Sequence, residues 1–263
     1  MTAARVRPLV AANWKMNTTV DQGCLLARDV CEYADKYPDI DVVLFPPFVH
    51  LWPVADILGA TDIDLGAQNM HWETSGAFTG EISASMISPV CRYVLLGHSE
   101  RRHIFHETDD VIARKVRTAV AEGLRIMLAI GETESQRKEG RTMAVLEQQL
   151  TSALPNTLSS ISQNEIVIAY EPVWAIGTGI TPTPEEAEVV SAEISRWCAD
   201  RFTCSPDTVK VVYGGSVTAE NAVSFVRQPS ISGALVGGAS LHIDAFDAIM
   251  QAAQESRTLR EAP

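Results

Sequence analysis

The sequence predicts a single-domain α/β fold in which eight parallel strands, alternating with helices, close into a (β/α)8 barrel. Three observations predict this fold. The chain has 263 residues, and a barrel of this kind takes about 250 residues in one unit. Short runs rich in Val, Ile and Leu recur eight times, and several are apolar at nearly every position, as strands buried on both faces are. Between the runs lie segments with helical periodicity, which parallel strands need as crossover connections.

The eight predicted strands follow one another along the whole chain. They are residues 8–13 (PLVAAN), 40–45 (IDVVLF), 62–67 (DIDLGA), 92–97 (RYVLLG), 125–130 (RIMLAI), 165–170 (EIVIAY), 208–213 (TVKVVY) and 233–237 (GALVG).

Two of the intervening helices have clear boundary signals. Thr108 and two aspartates precede a periodic segment that ends at Gly123, a typical C-terminal glycine. The second helix opens where Thr183-Pro184 is followed by two glutamates. Threonine before proline is typical of a helix start, and carboxylates there interact favourably with the positive end of the helix dipole.

No linker or low-complexity segment interrupts this order, so the sequence predicts one catalytic domain over residues 1–263. Residues 254–263 (QESRTLREAP) are predicted to form a polar, fraying C-terminal tail. An open doubly wound sheet is the alternative fold for alternating strands and helices. Its usual G-x-G-x-x-G turn is missing after the first strand, which favours the barrel.

Charge and composition exclude several classes of partner. The net charge is −12, from 21 basic and 33 acidic residues, and a field of this sign repels nucleic acids and anionic membranes. No apolar run approaches the roughly 18 residues of a membrane-spanning helix, and the N-terminus does not read as a secretory signal. Five scattered cysteines without a C-x-x-C pair fit unpaired thiols in a reducing compartment. We therefore expect a cytoplasmic protein without nucleic-acid or membrane partners.

Candidate functional residues cluster where the predicted strands end. In a barrel of this kind, chemistry takes place at the C-terminal ends of the strands. One carboxylate, one imidazole, one ammonium group and two glycine-rich turns stand at these positions. The segments are 13–17 (NWKMN), 97–102 (GHSERR), 171–174 (EPVW), 214–216 (GGS) and 237–240 (GGAS). The i, i+3 spacing of His103 and His106 is by itself too weak a signal to predict a metal site.

In this order, NWKMN, GHSERR, AYEPVWAIGTG, YGGSV and VGGASL resemble the triosephosphate isomerase family, and the resemblance covers almost the whole chain. It implies a TIM barrel that interconverts dihydroxyacetone phosphate and glyceraldehyde 3-phosphate by proton transfer through a cis-enediolate. No metal or organic cofactor is then expected, since a base, an electrophile and a phosphate anchor are all present as side chains.

The resemblance assigns roles to five residues. Glu171 is the expected general base, because a carboxylate desolvated at a strand end gains basicity. His98, before a predicted helical turn, is expected to stay neutral and to donate a hydrogen bond to the substrate carbonyl. Lys15 supplies positive charge for the phosphate and the developing oxyanion, and Asn13 an amide hydrogen bond nearby. Glu100 is expected to hold Lys15 or a residue of a neighbouring subunit.

Small residues are expected to bind the phosphate, because backbone N–H groups can approach an anion closely where side chains lack bulk. The resemblance assigns this role to Gly177, Ser216, Gly237 and Gly238. It also implies a lid that closes over the substrate and excludes water. The lid residues are Pro172, Val173, Trp174, Ala175, Ile176, Gly177, Thr178 and Gly179.

Two positions depart from the family pattern. Ala129 stands near the end of the fifth strand where the family has cysteine, and the smaller side chain predicts a gap costing about 1–2 kcal/mol unless neighbours repack. Pro182 follows the lid and has no backbone N–H. A latch from the Tyr213 hydroxyl to that nitrogen is therefore excluded, and altered lid kinetics are expected.

The loop 69–81 (NMHWETSGAFTGE) is too long for a plain connection between a strand and a helix. The resemblance implies that it docks into the partner subunit of a homodimer, with Thr79 reaching the other active site. Phe78, otherwise an exposed aromatic side chain, supports this expectation.

Three alternative functions are compatible with a barrel. An isomerase of a four-carbon ketose phosphate would share the same motifs, and pocket volume would distinguish it. An aldolase would need a Schiff-base lysine at a central strand end, where Glu171 stands instead. A non-catalytic scaffold protein would be expected to have lost Lys15, His98 or Glu171, and the sequence retains all three.

Overall fold

Eight parallel strands form one closed barrel, in which each strand pairs with its neighbours in the sequence. The structure, a computed structural model, describes residues 7–59, 61–154, 165–176 and 180–261. The (β/α)8 prediction is confirmed, and each predicted strand differs from the observed one by two residues or fewer at either end. The strands are β1 Leu9–Asn13, β2 Asp41–Phe45, β3 Asp64–Ala67, β4 Tyr93–Leu96, β5 Arg125–Ile130, β6 Ile166–Tyr170, β7 Lys210–Tyr213 and β8 Gly233–Val236.

The barrel closes where β1 pairs with β8, and Leu9 lies opposite Gly233 at this seam. Gly233 has a φ of 144°, and a Cβ atom there would lie 1.9 Å from the Leu9 carbonyl oxygen. Since only glycine can adopt this backbone conformation without a clash, residue 233 permits the two strands to approach.

The strands contribute alternate residues to two apolar layers, because successive side chains point to opposite faces of a sheet. One layer fills the barrel interior, and the other packs against the surrounding helices. The interior layer contains Leu9, Ala11, Val43, Phe45, Tyr93, Leu95, Met127, Ala129, Val167, Ala169, Val212 and Leu235. Ala129, one of the departures from the family pattern, is thus fully buried inside the barrel.

Helices connect the strands around the outside of the barrel. Their bounds are α1 Val20–Ala34, α2 Leu51–Leu58, α3 Ala84–Ile87, α4 Ser99–His103, α5 Asp109–Ala121, α6 Glu134–Lys138, α7 Thr142–Ala153, α8 Pro184–Phe202, α9 Ala222–Val226 and α10 Ile243–Glu261. No helix in the described part of the chain is long and apolar enough to span a membrane.

The predicted helix boundaries of α5 and α8 agree with the structure. Thr108 caps α5, and Gly123 follows its end with a φ of 74°. Thr183 caps α8 by accepting a hydrogen bond from the Glu186 N–H at 3.1 Å, and the Glu186 side chain accepts from the Thr183 N–H at 2.9 Å. This reciprocal capping box fixes the start of the helix that follows the lid.

The fraying tail predicted after Ala253 is corrected by the structure, because α10 continues to Glu261. Gln254 donates to the Asp39 carboxylate at 3.0 Å and accepts from the Asp39 N–H at 3.1 Å. Ser256 is 2% exposed. Gln254 therefore ties this part of α10 to the segment that precedes β2, which holds the helix in place.

Candidate active site

A cavity of about 300 Å³ opens at the carboxyl ends of the strands. It brings together most of the residues predicted from the strand ends. The predicted residues on its wall are Asn13, Lys15, His98, Glu171, Ile176, Ser216, Gly237 and Gly238. Gly177, Thr178 and Gly179 of the predicted lid lie outside the described residues.

Glu171 is 2% exposed and follows β6 directly. Its Oε2 accepts a hydrogen bond from the Ser99 N–H at 3.0 Å, and its Oε1 lies 3.3 Å from His98 Nε2. Gly214 makes room for this side chain, since a Cβ atom there would lie 2.7 Å from Glu171 Cγ. The carboxylate is therefore buried and oriented, with one oxygen toward the imidazole.

His98 caps helix α4, and its Nδ1 accepts a hydrogen bond from the Glu100 N–H at 3.2 Å. An imidazole nitrogen that accepts a hydrogen bond carries no proton, so the proton of the neutral ring lies on Nε2. The short helix thus sets the tautomer, and the Nε2–H faces Glu171 and the cavity. This nitrogen can donate a hydrogen bond to a substrate oxygen.

Lys15 lies in the connection that follows β1, with a φ of 52°. Two side chains hold its backbone. Asn13 Oδ1 accepts from the Lys15 N–H at 3.0 Å, and Gln68 Nε2 donates to the Lys15 carbonyl at 2.8 Å. The ammonium group forms an ion pair with Glu100 at 2.6 Å. The Asn13 amide nitrogen remains as the group that can donate toward the cavity.

The opposite wall of the cavity contains little side-chain bulk. The Ser216 hydroxyl donates to the Ala175 carbonyl at 2.5 Å, which ties the β7 turn to the start of the lid. Gly237 follows β8, and a Cβ atom there would come within 3.3 Å of Lys15 Cε. Gly238 opens the short 3₁₀ turn Gly238–Leu241. Backbone N–H groups at the start of such a turn have no acceptor within it.

The start of the predicted lid is held by a buried carboxylate that the sequence did not single out. Residues Val173–Ala175 form one 3₁₀ turn. Within it, Trp174 Nε1 donates to Glu132 at 2.9 Å, and Arg137 lies over the Trp174 ring at 4.3 Å. Glu132 is fully buried and also accepts from the Tyr170 hydroxyl at 3.3 Å. Burial raises the pKa of Glu132 above its ordinary value, and these hydrogen bonds offset the increase only in part.

Sequence reasoning also missed Gln68 and Ser99. Gln68 follows β3 by one residue, so the strand-end rule that found Lys15 and His98 could have found it. Ser99 acts through its backbone N–H, which every residue except proline has. No sequence signal distinguishes such a donor from any other.

A second cavity, of about 410 Å³, adjoins the first and shares Asn13, Lys15 and His98 with it. Exposed apolar side chains surround this region. Met16 is 95% exposed, Phe105 62% and Phe48 40%, and all three line the second cavity. The loop residue Phe78 is 42% exposed and packs on His71 with ring centroids 4.4 Å apart.

Within residues 7–59, 61–154, 165–176 and 180–261, no group of three or more His, Cys, Asp or Glu side chains is arranged to hold a metal ion. Glu107 pairs with Arg101 and Lys115, both at 2.6 Å. It therefore serves as the anionic partner of two cations.

Comparison with known proteins agrees with the geometry. The family model described as triosephosphate isomerase matches residues 8–253. This chain belongs to the triosephosphate isomerase family. The matched range includes all eight strands and every residue of the cavity wall.

Bacterial proteins named triosephosphate isomerase are similar over nearly their full length. That of Rhodopirellula baltica is 45% identical over 249 residues, covering 94% of this chain and 98% of the relative. That of Carboxydothermus hydrogenoformans is 43% identical, covering 93% and 98%. That of Alkaliphilus metalliredigens is 45% identical, covering 91% and 97%.

Proposed function

We propose that this protein is a triosephosphate isomerase that interconverts dihydroxyacetone phosphate and D-glyceraldehyde 3-phosphate. One observation carries the proposal. A buried carboxylate, a neutral imidazole and an ammonium group line a single cavity of about 300 Å³. These are a base, a hydrogen-bond donor and a cation, the groups needed to move a proton between a carbonyl carbon and the hydroxyl-bearing carbon beside it.

Glu171 is proposed to remove a proton from the hydroxyl-bearing carbon and to return it to the former carbonyl carbon, while the hydroxyl proton passes to the former carbonyl oxygen. His98 Nε2, 3.3 Å from Glu171 Oε1, donates a hydrogen bond to the carbonyl oxygen as it becomes an enediolate oxygen. Since the Nδ1 atom already accepts from the Glu100 N–H, the ring presents its donor at the correct nitrogen. Burial of the carboxylate limits contact between the enediolate and bulk water.

Lys15 is proposed to attract the phosphate and to stabilise negative charge on the enediolate. Its ion pair with Glu100 does not prevent this role. The two side chains are 28% and 39% exposed, and an ion pair this exposed contributes only about 0–1 kcal/mol. A phosphate dianion carries more charge than one carboxylate, and can therefore share or replace this partner.

The phosphate is proposed to bind between the lid and the turns after β7 and β8, where barrels of this fold commonly hold it. Ser216, Gly237 and Gly238 line the cavity there, and Gly177 is proposed to join them when residues 172–179 close. The Ser216 hydroxyl, which donates to the Ala175 carbonyl, can turn to the phosphate during closure.

A homodimer is proposed as the active assembly. The exposed apolar side chains of Met16, Phe48 and Phe105 border a cavity that opens beside Lys15 and His98. An apolar surface of this kind typically marks a protein contact. The loop 69–81 of the partner is the proposed occupant, with Phe78 as its apolar anchor and Thr79 near the other active site.

We propose one catalytic domain over the whole chain, acting in the cytoplasm on a small phosphorylated sugar, without nucleic-acid or membrane partners. All five cysteines lie in the described residues and are free thiols, which is usual in a reducing compartment. The excess of acidic residues disfavours anionic surfaces.

A coupled assay tests the reaction and its substrate. The purified protein should convert glyceraldehyde 3-phosphate with a kcat/KM at least about a hundredfold above that for four-carbon ketose phosphates, a ratio within reach of pocket discrimination. The product formed in heavy water should contain deuterium at the reacting carbon. A higher kcat/KM for the four-carbon substrates would favour the alternative isomerase. Absence of turnover with either class of substrate would favour a non-catalytic scaffold protein.

A further inference from the structure

The side chain of His50 lies beneath the loop that contains Lys15, residues 14–19. It is 1% exposed, whereas Met16 in that loop is 95% exposed. Nε2 lies 3.1 Å from the Thr19 carbonyl oxygen and 3.3 Å from the Thr18 hydroxyl. Because a carbonyl oxygen can only accept, Nε2 carries the proton and the ring donates to the loop.

A glycine in helix α1 provides an independent sign that the ring belongs there. A Cβ atom on Gly23 would lie 2.4 Å from His50 Cδ2 and 2.9 Å from His50 Nε2. Glycine in the interior of a helix lowers its stability relative to alanine. Its presence at this position is explained by the space that the His50 ring occupies.

The loop needs anchors because its backbone is strained. Lys15 and Thr18 have φ values of 52° and 83°, a region that residues with side chains occupy only when their surroundings hold them there. Asn13 and Gln68 hold the Lys15 end of the loop. His50 holds the other end at Thr18 and Thr19.

Trp14 joins these two ends. Its ring meets the His50 ring edge-on, with centroids 6.1 Å apart and planes at 84°. Trp14 is fully buried, and its carbonyl accepts from Asn17 at 2.7 Å. A shift of His50 would therefore displace both Trp14 and the Thr18–Thr19 backbone, which flank Lys15.

We propose that His50 is a positioning residue for Lys15: by donating to the Thr19 carbonyl and packing on Trp14, it keeps the ammonium group at its place in the cavity. The inference rests on the proposed function, because that function gives Lys15 its role. His50 is absent from the wall of the cavity itself, so its effect passes through the loop.

Two replacements of similar size separate the hydrogen bond from simple packing. His50→Gln keeps an N–H donor near the position of Nε2, whereas His50→Leu fills the space without one. We expect kcat/KM for glyceraldehyde 3-phosphate to fall about ten- to a hundredfold in the leucine variant, as displaced catalytic groups typically cause. The inhibition constant of inorganic phosphate should rise in parallel. The glutamine variant should retain both values within about threefold.

Val54→Ala is the matched control, since Val54 is fully buried on the neighbouring helix α2. It should lower Tm without changing kcat/KM. Gly23→Ala is the second test and remains informative if the leucine variant fails to fold. It should lower both Tm and kcat/KM, although alanine normally stabilises a helix. In a His50→Ala background, where the ring is gone, the same change should raise Tm.

The outcomes separate this inference from the proposed function. Three results would each overturn the role of His50 without affecting the proposed isomerase function. They are an unchanged kcat/KM in the leucine variant, equal losses in the leucine and glutamine variants, and an equal loss in Val54→Ala. A Gly23→Ala protein with raised Tm and unchanged activity would do the same. Absence of turnover in the parent would instead refute the proposed function, and the Tm comparison would still test the contact.

Discussion

At the scale of single residues, the site depends on the two contacts that orient the carboxylate oxygens of Glu171. The Ser99 N–H holds one carboxylate oxygen at 3.0 Å. The other oxygen lies 3.3 Å from His98 Nε2, whose protonation is fixed by the Glu100 N–H on the far side of the ring. The proposed base and the proposed electrophile are therefore oriented by the backbone N–H groups of Ser99 and Glu100, which follow β4.

Glu171→Gln tests the general base directly. The amide keeps the size and the acceptor oxygen of the side chain but cannot take up a proton. We expect kcat to fall by about 10²–10⁴-fold, the usual contribution of a positioned base, with KM changed little. Glu165→Gln is the matched control, because residue 165 precedes β6 at the other end of the same strand. Similar losses in the two variants would contradict the assignment.

At the scale of elements, the segment between β6 and α8 is anchored by hydrogen bonds at both ends, and it contains Pro182, which departs from the family pattern. Trp174 and Tyr170 bind the buried Glu132 carboxylate, and the capping box at Thr183 fixes the first turn of α8. The Tyr213 hydroxyl is buried and has no hydrogen-bond partner in the described part of the chain. Its ring stacks on Phe225 with centroids 4.2 Å apart.

Pro182 has no backbone N–H, so the latch to the Tyr213 hydroxyl that the family resemblance implies cannot form at this position. We expect Pro182→Ala to change the rate of lid exchange, because alanine restores a backbone N–H. NMR exchange or stopped-flow fluorescence would measure this rate. Tyr213→Phe should have little effect in the parent and a clear effect in the alanine variant. Ordinary lid rates that Pro182→Ala leaves unchanged would refute this prediction.

Glu132 makes stability depend on pH in a direction that can be derived from its environment. Its pKa is raised by burial above an ordinary value of about 4.5, so the folded protein binds this proton more tightly than the unfolded chain. Its contribution to stability is therefore present below about pH 4.5 and is lost as pH rises through the folded pKa.

Glu132→Gln removes this titration and keeps an oxygen that can accept from Trp174. The difference in Tm between variant and parent should increase with pH over that window and level off above it. Thermal unfolding from pH 4 to 8 would measure the difference. A difference that decreases as pH rises would contradict the raised pKa.

At the scale of the whole molecule, the exposed apolar side chains around the second cavity predict assembly. We expect the parent to have about twice the chain mass of 28.6 kDa by light scattering. Phe78→Asp should shift it toward the monomer, because a charge on the anchor would have to be desolvated in the interface. Val189→Asp is a control on α8, with a side chain 64% exposed. A monomeric parent would refute the dimer.

Much of this molecule was predictable from local patterns in the chain. The eight apolar runs, the caps at Thr108 and Thr183 and the strand-end motifs each occupy a short stretch. Periodicity and capping act between residues a few positions apart, so a sequence displays them directly. These patterns were sufficient to predict the barrel and the strand-end segments that contribute many of the residues of its cavity wall.

The contacts that complete the site join residues far apart in the chain. Lys15 pairs with Glu100 across 85 positions, Ser99 donates to Glu171 across 72, and Gln254 holds Asp39 across 215. The partners of Glu132 and the place of His50 against Gly23 also depend on closure of the barrel. The sequence by itself determined which chemical groups stand at the mouth, because strand ends are read locally. Only the tertiary structure decided which tautomer, ion pair and anchor each group adopts, because those depend on atoms that folding alone brings within 3–4 Å.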